Sequence, residues 1–180
     1  MGILKKKFFE KPAATAAKNL LGKYLVRRIG GKIIRLMITE VEVYDGFKDK
    51  ASHASRGITK RNAPMFGEAG VWYVYFTYGM HWMLNIVTGP KNYPAAILIR
   101  AVKGINGPAR LTKFLKIDKK FNNNKASMKM GLWIEENPGF KRSKFSVKKL
   151  PRIGVAYAEP IWSKKPLRFL LVKNLTGGEK

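Results

Sequence analysis

The chain has no cysteine, which excludes disulfides, thiolate zinc sites, iron–sulfur clusters and thiol nucleophiles together. Its two histidines, His53 and His81, are too few for a histidine-built metal centre, so neither a metal site nor a cofactor is expected. Acidic residues are scarce: 11 Asp and Glu face 36 Lys and Arg, for a formal charge of +25 and a pI near 10.4. Long apolar runs are missing, so nothing is expected to span a bilayer, and the basic start through Lys5-Lys6-Lys7 lacks the apolar core of a signal peptide. Also absent are the Gly-x-x-x-x-Gly-Lys-Ser/Thr phosphate loop, the Gly-x-Gly-x-x-Gly dinucleotide fingerprint and the Gly-x-Ser-x-Gly elbow of serine hydrolases. The chemistry is left to carboxylates, hydroxyls, aromatic rings and bases.

What is present suits one folded domain over residues 1–180, since 46% hydrophobic and 12% aromatic residues are enough to bury a core. The positive charge exceeds what solubility requires and points to a polyanionic partner. Nucleic acid comes first, because each phosphate neutralised by Lys or Arg releases condensed counterions. A cytoplasmic protein associated with nucleic acid is expected, and a monomer, since so positive a surface repels its copies.

Pro12 to Leu21 reads as a helix stopped by Gly22. The middle is rich in β-branched and aromatic residues, predicting strands over 24–29, 33–44, 71–78, 82–88 and 95–102 in one sheet. Pro108 to Leu115 reads as a short helix, Phe121 to Lys125 as a polar connection and Lys141 to Lys149 as a basic loop, with late strands over 152–157 and 167–172. The fold class is therefore α+β, a single mixed domain built on one β-sheet.

Along residues 34–44 a strand period of two puts Ile34, Leu36, Ile38, Glu40, Glu42 and Tyr44 on one face and Met37, Thr39, Val41 and Val43 on the other. Carboxylates on an apolar face are costly unless paired or useful. Salt bridges to the surplus Lys and Arg, which composition favours, and a catalytic role both stand open. Six aromatics and His81 crowd the segment from Trp72 to Trp82, where Gly79 can close a hairpin and lift Tyr78 to its tip, placed to wedge into a base stack. Tyr73, Phe76 and Trp82 read as ordinary sheet core. The polar loop from Asp49 to Asn62, with Arg61, can reach phosphates, and Gly107-Pro108 opening a helix beside Arg110 can offer backbone N–H groups to one.

The motifs Thr39-Glu40-Val41-Glu42-Val43-Tyr44, Ala51-Ser52-His53-Ala54, Arg61-Asn62-Ala63-Pro64-Met65-Phe66, Tyr73 to Met80, Leu98-Ile99-Arg100-Ala101, Arg152-Ile153-Gly154-Val155 and Lys165-Pro166-Leu167-Arg168-Phe169 stand collinearly. In that order and spacing the chain resembles the alkyladenine (3-methyladenine) DNA glycosylase family over roughly residues 10 to 172. The resemblance implies a single mixed domain around a curved, mostly antiparallel sheet flanked by short helices. It further implies a cofactor-free enzyme that flips an alkylated or deaminated purine from double-stranded DNA and hydrolyses its glycosidic bond. Glu42 matches the residue that activates water. Tyr44, His53 and Tyr75 match those enclosing the flipped base, and Asn85 matches one that screens the purine edge. Tyr78 matches the intercalating residue and Arg100 a position close to the DNA backbone. No lysine is singled out as a lyase nucleophile, so hydrolysis without strand cleavage is expected. The rival readings are a non-catalytic basic nucleic-acid-binding module and a magnesium-dependent nuclease.

Overall fold

Runs of β-branched and aromatic residues punctuated by glycine condense into nine strands of one sheet in the computed structural model, which describes residues 2–174. After two short helices, α1 (Lys6–Phe9) and α2 (Ala13–Leu20), come β1 (Tyr24–Ile29), β2 (Lys32–Asp45), β3 (Trp72–Thr77), β4 (His81–Val87), β5 (Ala95–Val102) and β6 (Ile105–Asn106). The chain continues through α3 (Pro108–Phe114), β7 (Leu132–Glu135), β8 (Phe145–Leu150), α4 (Glu159–Lys164) and β9 (Arg168–Lys173). The order is β3-β4-β5-β2-β1-β7, with β6 on β5, β9 on β2 and β8 on β9, and the described pairs are antiparallel. The α+β class and the antiparallel sheet are as the sequence predicts.

β2 is the axis of the molecule. Its first half pairs with β1 through Lys32–Met37, and its second half lies between β5 and β9. The ladder with β5 shifts register around Glu40, leaving Thr39 and Arg100 out of the pairing. Such bulges turn a strand over. Ile38 and Val102 on one side of the irregularity, and Val41, Val43, Ile97 and Ile99 on the other, all enter the main core, while Tyr44, Ala96, Leu98 and Arg100 line a cavity on the opposite face. The unbroken period-two face expected from Ile34 to Tyr44 is thus corrected: Ile38 parts company with Glu40, Glu42 and Tyr44.

α2 packs Ala13, Ala16, Ala17 and Leu20 into that core, and α3 adds Leu111. Alanines let the helix lie close to the sheet, and full burial of a side chain such as Leu20 contributes roughly 1.5–3 kcal/mol.

The structure departs from the sequence reading at five places. Residues 152–157 are not a strand but a run of bends and turns, because Pro151 offers no donor to a ladder and Gly154 takes φ 78°. The basic loop from Lys141 is half strand, since Phe145 and Val147 alternate inward against the lysines of β8. β7 is unanticipated, its four residues being too few to show a period. Phe121, in the expected polar connection, is buried beneath the Arg27 guanidinium, and Phe76, expected in the core, is 43% exposed and packs on Trp82.

Candidate active site

The face of β2 and β5 turned away from the core opens into a cavity of about 720 Å³. Tyr44, His53, Tyr75, Asn85 and Arg100 line it, as do Tyr78 and Arg61 from its rim. Residues spread from 44 to 100 in the sequence are therefore brought together. Arg110 is not; it stands exposed on α3, whose first residue, Pro108, reaches the wall.

Glu42 is fully buried behind this wall, and three of the wall's residues hold its carboxylate. The Ile153 backbone N–H donates to Oε1 at 2.8 Å, Arg100 lies 3.4 Å from the same oxygen, and the Tyr44 hydroxyl donates to Oε2 at 3.1 Å. Burial raises the Glu42 pKa above the ordinary carboxylate value; Arg100, the Ile153 N–H and Tyr44 oppose that rise, and Glu40 adds to it. Arg100 also donates to Glu40 at 3.2 Å, and Arg168 reaches the same Glu40 oxygen at 3.0 Å. Both readings of the carboxylates thus have a physical counterpart, for Glu40 and Glu42 are ion-paired and Glu42 also lies directly behind the cavity wall, bonded to three residues that line it.

The aromatic walls are fixed by hydrogen bonds and stacking. Ser52 caps the 3-10 helix His53–Arg56 by accepting from the Ala54 N–H, and the Asn62 amide donates to the His53 and Gly57 carbonyls at 2.9 Å each. His53 is exposed on one side, but its ring sits edge-on to Tyr75 with centroids 4.7 Å apart, and Nδ1 is 2.9 Å from the Tyr73 hydroxyl. Burial of the ring, followed by the charge of Arg61, lowers its pKa to about 4, so the imidazole is neutral at physiological pH. Burial raises Tyr44, Tyr73 and Tyr75 above the ordinary phenol value, keeping their hydroxyls protonated donors. Asn85 is buried beside them and donates to the Tyr73 carbonyl at 3.0 Å.

Tyr78 stands at the tip of the β3–β4 hairpin, 78% exposed. Its φ of 52° followed by 65° at Gly79 is the sign pattern of a tight primed turn, closed by the Met80 N–H donating to the Thr77 carbonyl. A non-glycine residue with positive φ is uncommon, and here it props a ring outward beside the cavity mouth.

Sequence reasoning missed the brace behind Tyr44. Arg152, buried, grips Asp49 with both terminal nitrogens, donates to the Val43 carbonyl at 2.8 Å and lies 4.9 Å from the centre of the Tyr44 ring. It holds the strand between Glu42 and Tyr44 and presents the next residue, Ile153, to the carboxylate. The signal was the motif Arg152-Ile153-Gly154-Val155, whose glycine permits the turn. Tyr157 also lines the mouth, its hydroxyl donating to the Ala51 carbonyl at 3.1 Å.

Among the described residues no group of three His, Cys, Asp or Glu is placed to hold a metal, and no helix is long and apolar enough to cross a membrane. Chemically, the arrangement offers a proton acceptor of raised pKa beside an arginine, at the back of an aromatic pocket on a strongly basic protein.

A family model described as methylpurine-DNA glycosylase matches residues 7–106 and 102–175. Among curated relatives carrying the provisional name 3-methyladenine DNA glycosylase, one from Legionella pneumophila (strain Lens) is 40% identical, with 95% of each chain covered. Another from Methanocella arvoryzae is 38% identical, over 88% of this chain and 87% of the relative. A third, from Borreliella burgdorferi (strain ZS7), is 39% identical over 93% and 95% respectively.

Proposed function

Since the chain belongs to the methylpurine-DNA glycosylase family, and is thereby a DNA glycosylase of the 3-methyladenine class, we infer that it flips the damaged purine into the aromatic cavity and hydrolyses the glycosidic bond with water activated by Glu42. The observation that carries this reading is the fully buried Glu42 carboxylate, held by Tyr44, Arg100 and the Ile153 N–H at the back of the pocket.

An alkylated purine is a cation with a weakened glycosidic bond, so it leaves with little acid assistance and the enzyme chiefly selects, holds and hydrates it. Damage weakens pairing and lowers the cost of extrusion. Tyr78, projecting beside the mouth, fills the gap in the stack. Tyr44, Tyr75 and neutral His53 enclose the base, and such rings favour a positive base by about 0.5–2 kcal/mol. Asn85, part of the cavity lining, is the residue that excludes a purine bearing an extra exocyclic amine on this reading. Glu42 accepts the water's proton, and its charge, little screened where it is buried, stabilises the oxocarbenium-like sugar. Exposed Arg61 and Arg110 contact phosphates.

Lys50 is the one lysine among the described residues that line the cavity. It is not enlisted as a nucleophile here: the product is an abasic site with the strand intact, and borohydride treatment during turnover is expected to trap no covalent protein–DNA adduct. The central test incubates wild type and Glu42→Gln with duplexes carrying 3-methyladenine or hypoxanthine in the presence of EDTA. Release of either base by the wild type, lost in the variant while DNA binding persists, supports the reading; equal release by both overturns the role of Glu42. Hypoxanthine release separately decides whether deaminated purines are accepted.

A further inference from the structure

At the far end of β2 from Glu42 lies a second groove, of about 810 Å³, which shares no lining residue with the active-site cavity. Arg35 of β2 and Glu42 are seven residues, or roughly 20 Å, apart on one strand, and on the neighbouring stretch Lys103 of the groove lies three residues beyond Arg100 of the cavity. The groove is formed where β1 and the first half of β2 meet the turn after β5 and the segment entering β8.

Arg35, Lys103, Lys141 and Lys144 line it, and no carboxylate does. Arg35 is paired with the buried Glu135, whereas Lys103, Lys141 and Lys144 have no acidic partner among the described residues. Three like charges around one hollow repel each other unless an anion lies between them. The floor is aromatic. Phe140 and Phe145 are half-buried, their centroids 5.0 Å apart and their planes inclined at 33°. Gly22, at φ 87°, leaves the space the Phe140 ring occupies; a Cβ there collides with it.

Cations on the rim and rings on the floor are the two halves of a nucleotide-binding surface. A duplex offers such a groove only phosphates, because its bases are stacked inside; an unpaired strand offers both phosphates and ring faces. We propose that this groove binds a single-stranded segment of nucleic acid, its phosphates along Lys103, Lys141 and Lys144 and a base against Phe140 and Phe145, while the cavity is free to engage duplex DNA.

The test follows the anisotropy of a fluorescent eight-nucleotide oligothymidylate with wild type and with Lys103→Ala/Lys141→Ala/Lys144→Ala, with and without saturating unlabelled duplex containing an abasic-site analogue. The expected result is an affinity roughly tenfold lower in the triple variant and a log–log salt slope shallower by about 2, at about 0.7 per lost phosphate contact on a single strand. Excision from duplex at low salt stays unchanged, and the oligonucleotide stays bound beside the duplex. An iodouracil-bearing oligonucleotide is expected to photocrosslink to Phe140 or Phe145 by peptide mapping. Wild-type affinity in the variant, complete displacement by the duplex, or crosslinks confined to the cavity tyrosines each overturn the proposal.

Discussion

Glu42, the base we propose, is a buried carboxylate that weighs on the fold that carries it. Its raised pKa means that the folded chain holds the proton more tightly than the unfolded one. The stability it contributes is therefore present below the ordinary carboxylate value and lost as pH rises through the raised one. At neutral pH the buried charge is a net cost, so Glu42→Gln is expected to leave the melting temperature at pH 7 unchanged or higher while slowing excision about 10²–10⁴-fold. Melts at pH 4 and pH 7 read the sign, since any gain by the variant shrinks on acidification. With Glu42 as the proposed base, which must be ionised to act, the acidic limb of kcat/KM is expected to lie above the ordinary carboxylate range. Arg100 holds the Glu42 pKa down, so Arg100→Gln moves that limb further up; an unmoved limb would show that another group titrates. His53 stays neutral until pH falls to about 4 and adds no second limb above it.

Among the elements, the loop between β8 and α4 matters as much to the site as the strands. Breaking the Arg152–Asp49 pair with Asp49→Ala leaves a buried guanidinium unpaired and is expected to cost about 3–5 kcal/mol by urea denaturation. Arg152→Met/Asp49→Leu is expected to recover much of that stability but not the excision rate, because it leaves no donor to fix the Val43 carbonyl. Equal recovery of both would make the brace purely structural. This loop was the hardest part to read: Ile153 acts through its backbone N–H, which no side-chain pattern reveals, and Arg152 is one arginine in a chain full of them. The hairpin was the easiest, because Gly79 between two aromatic runs states its own turn. Tyr78→Ala is accordingly expected to keep the cavity and the melting temperature but to weaken release from duplex more than from single-stranded DNA, compared by single-turnover rates. The bulge at Thr39 and Arg100 was invisible, since both residues continue a plausible strand; only the partner strand shows that the face changes.

For the molecule as a whole, a charge of +25 predicts duplex affinity that falls steeply with salt, and a log–log slope of about 6 or more would mean at least that many phosphates neutralised. A slope near 2 would leave most of the lysines without a role in binding. Composition announced this property, and the strand segments announced the sheet, whereas the junction of β5, β2 and β9 around Glu40 and Glu42 arises only from tertiary pairing. That junction has a bearing on timing. Chains are made from the N-terminus, and Ile153, whose N–H holds the Glu42 carboxylate, Arg152 beside it and Arg168 on Glu40 all follow the hairpin in the order of synthesis. A nascent chain that has reached Leu150 already carries the hairpin, the cation-rich surface, Tyr44 and Arg100, yet lacks the Ile153 N–H that completes the grip on Glu42. On the reading that Glu42 activates water, such a chain is expected to bind DNA before it can hydrolyse a glycosidic bond.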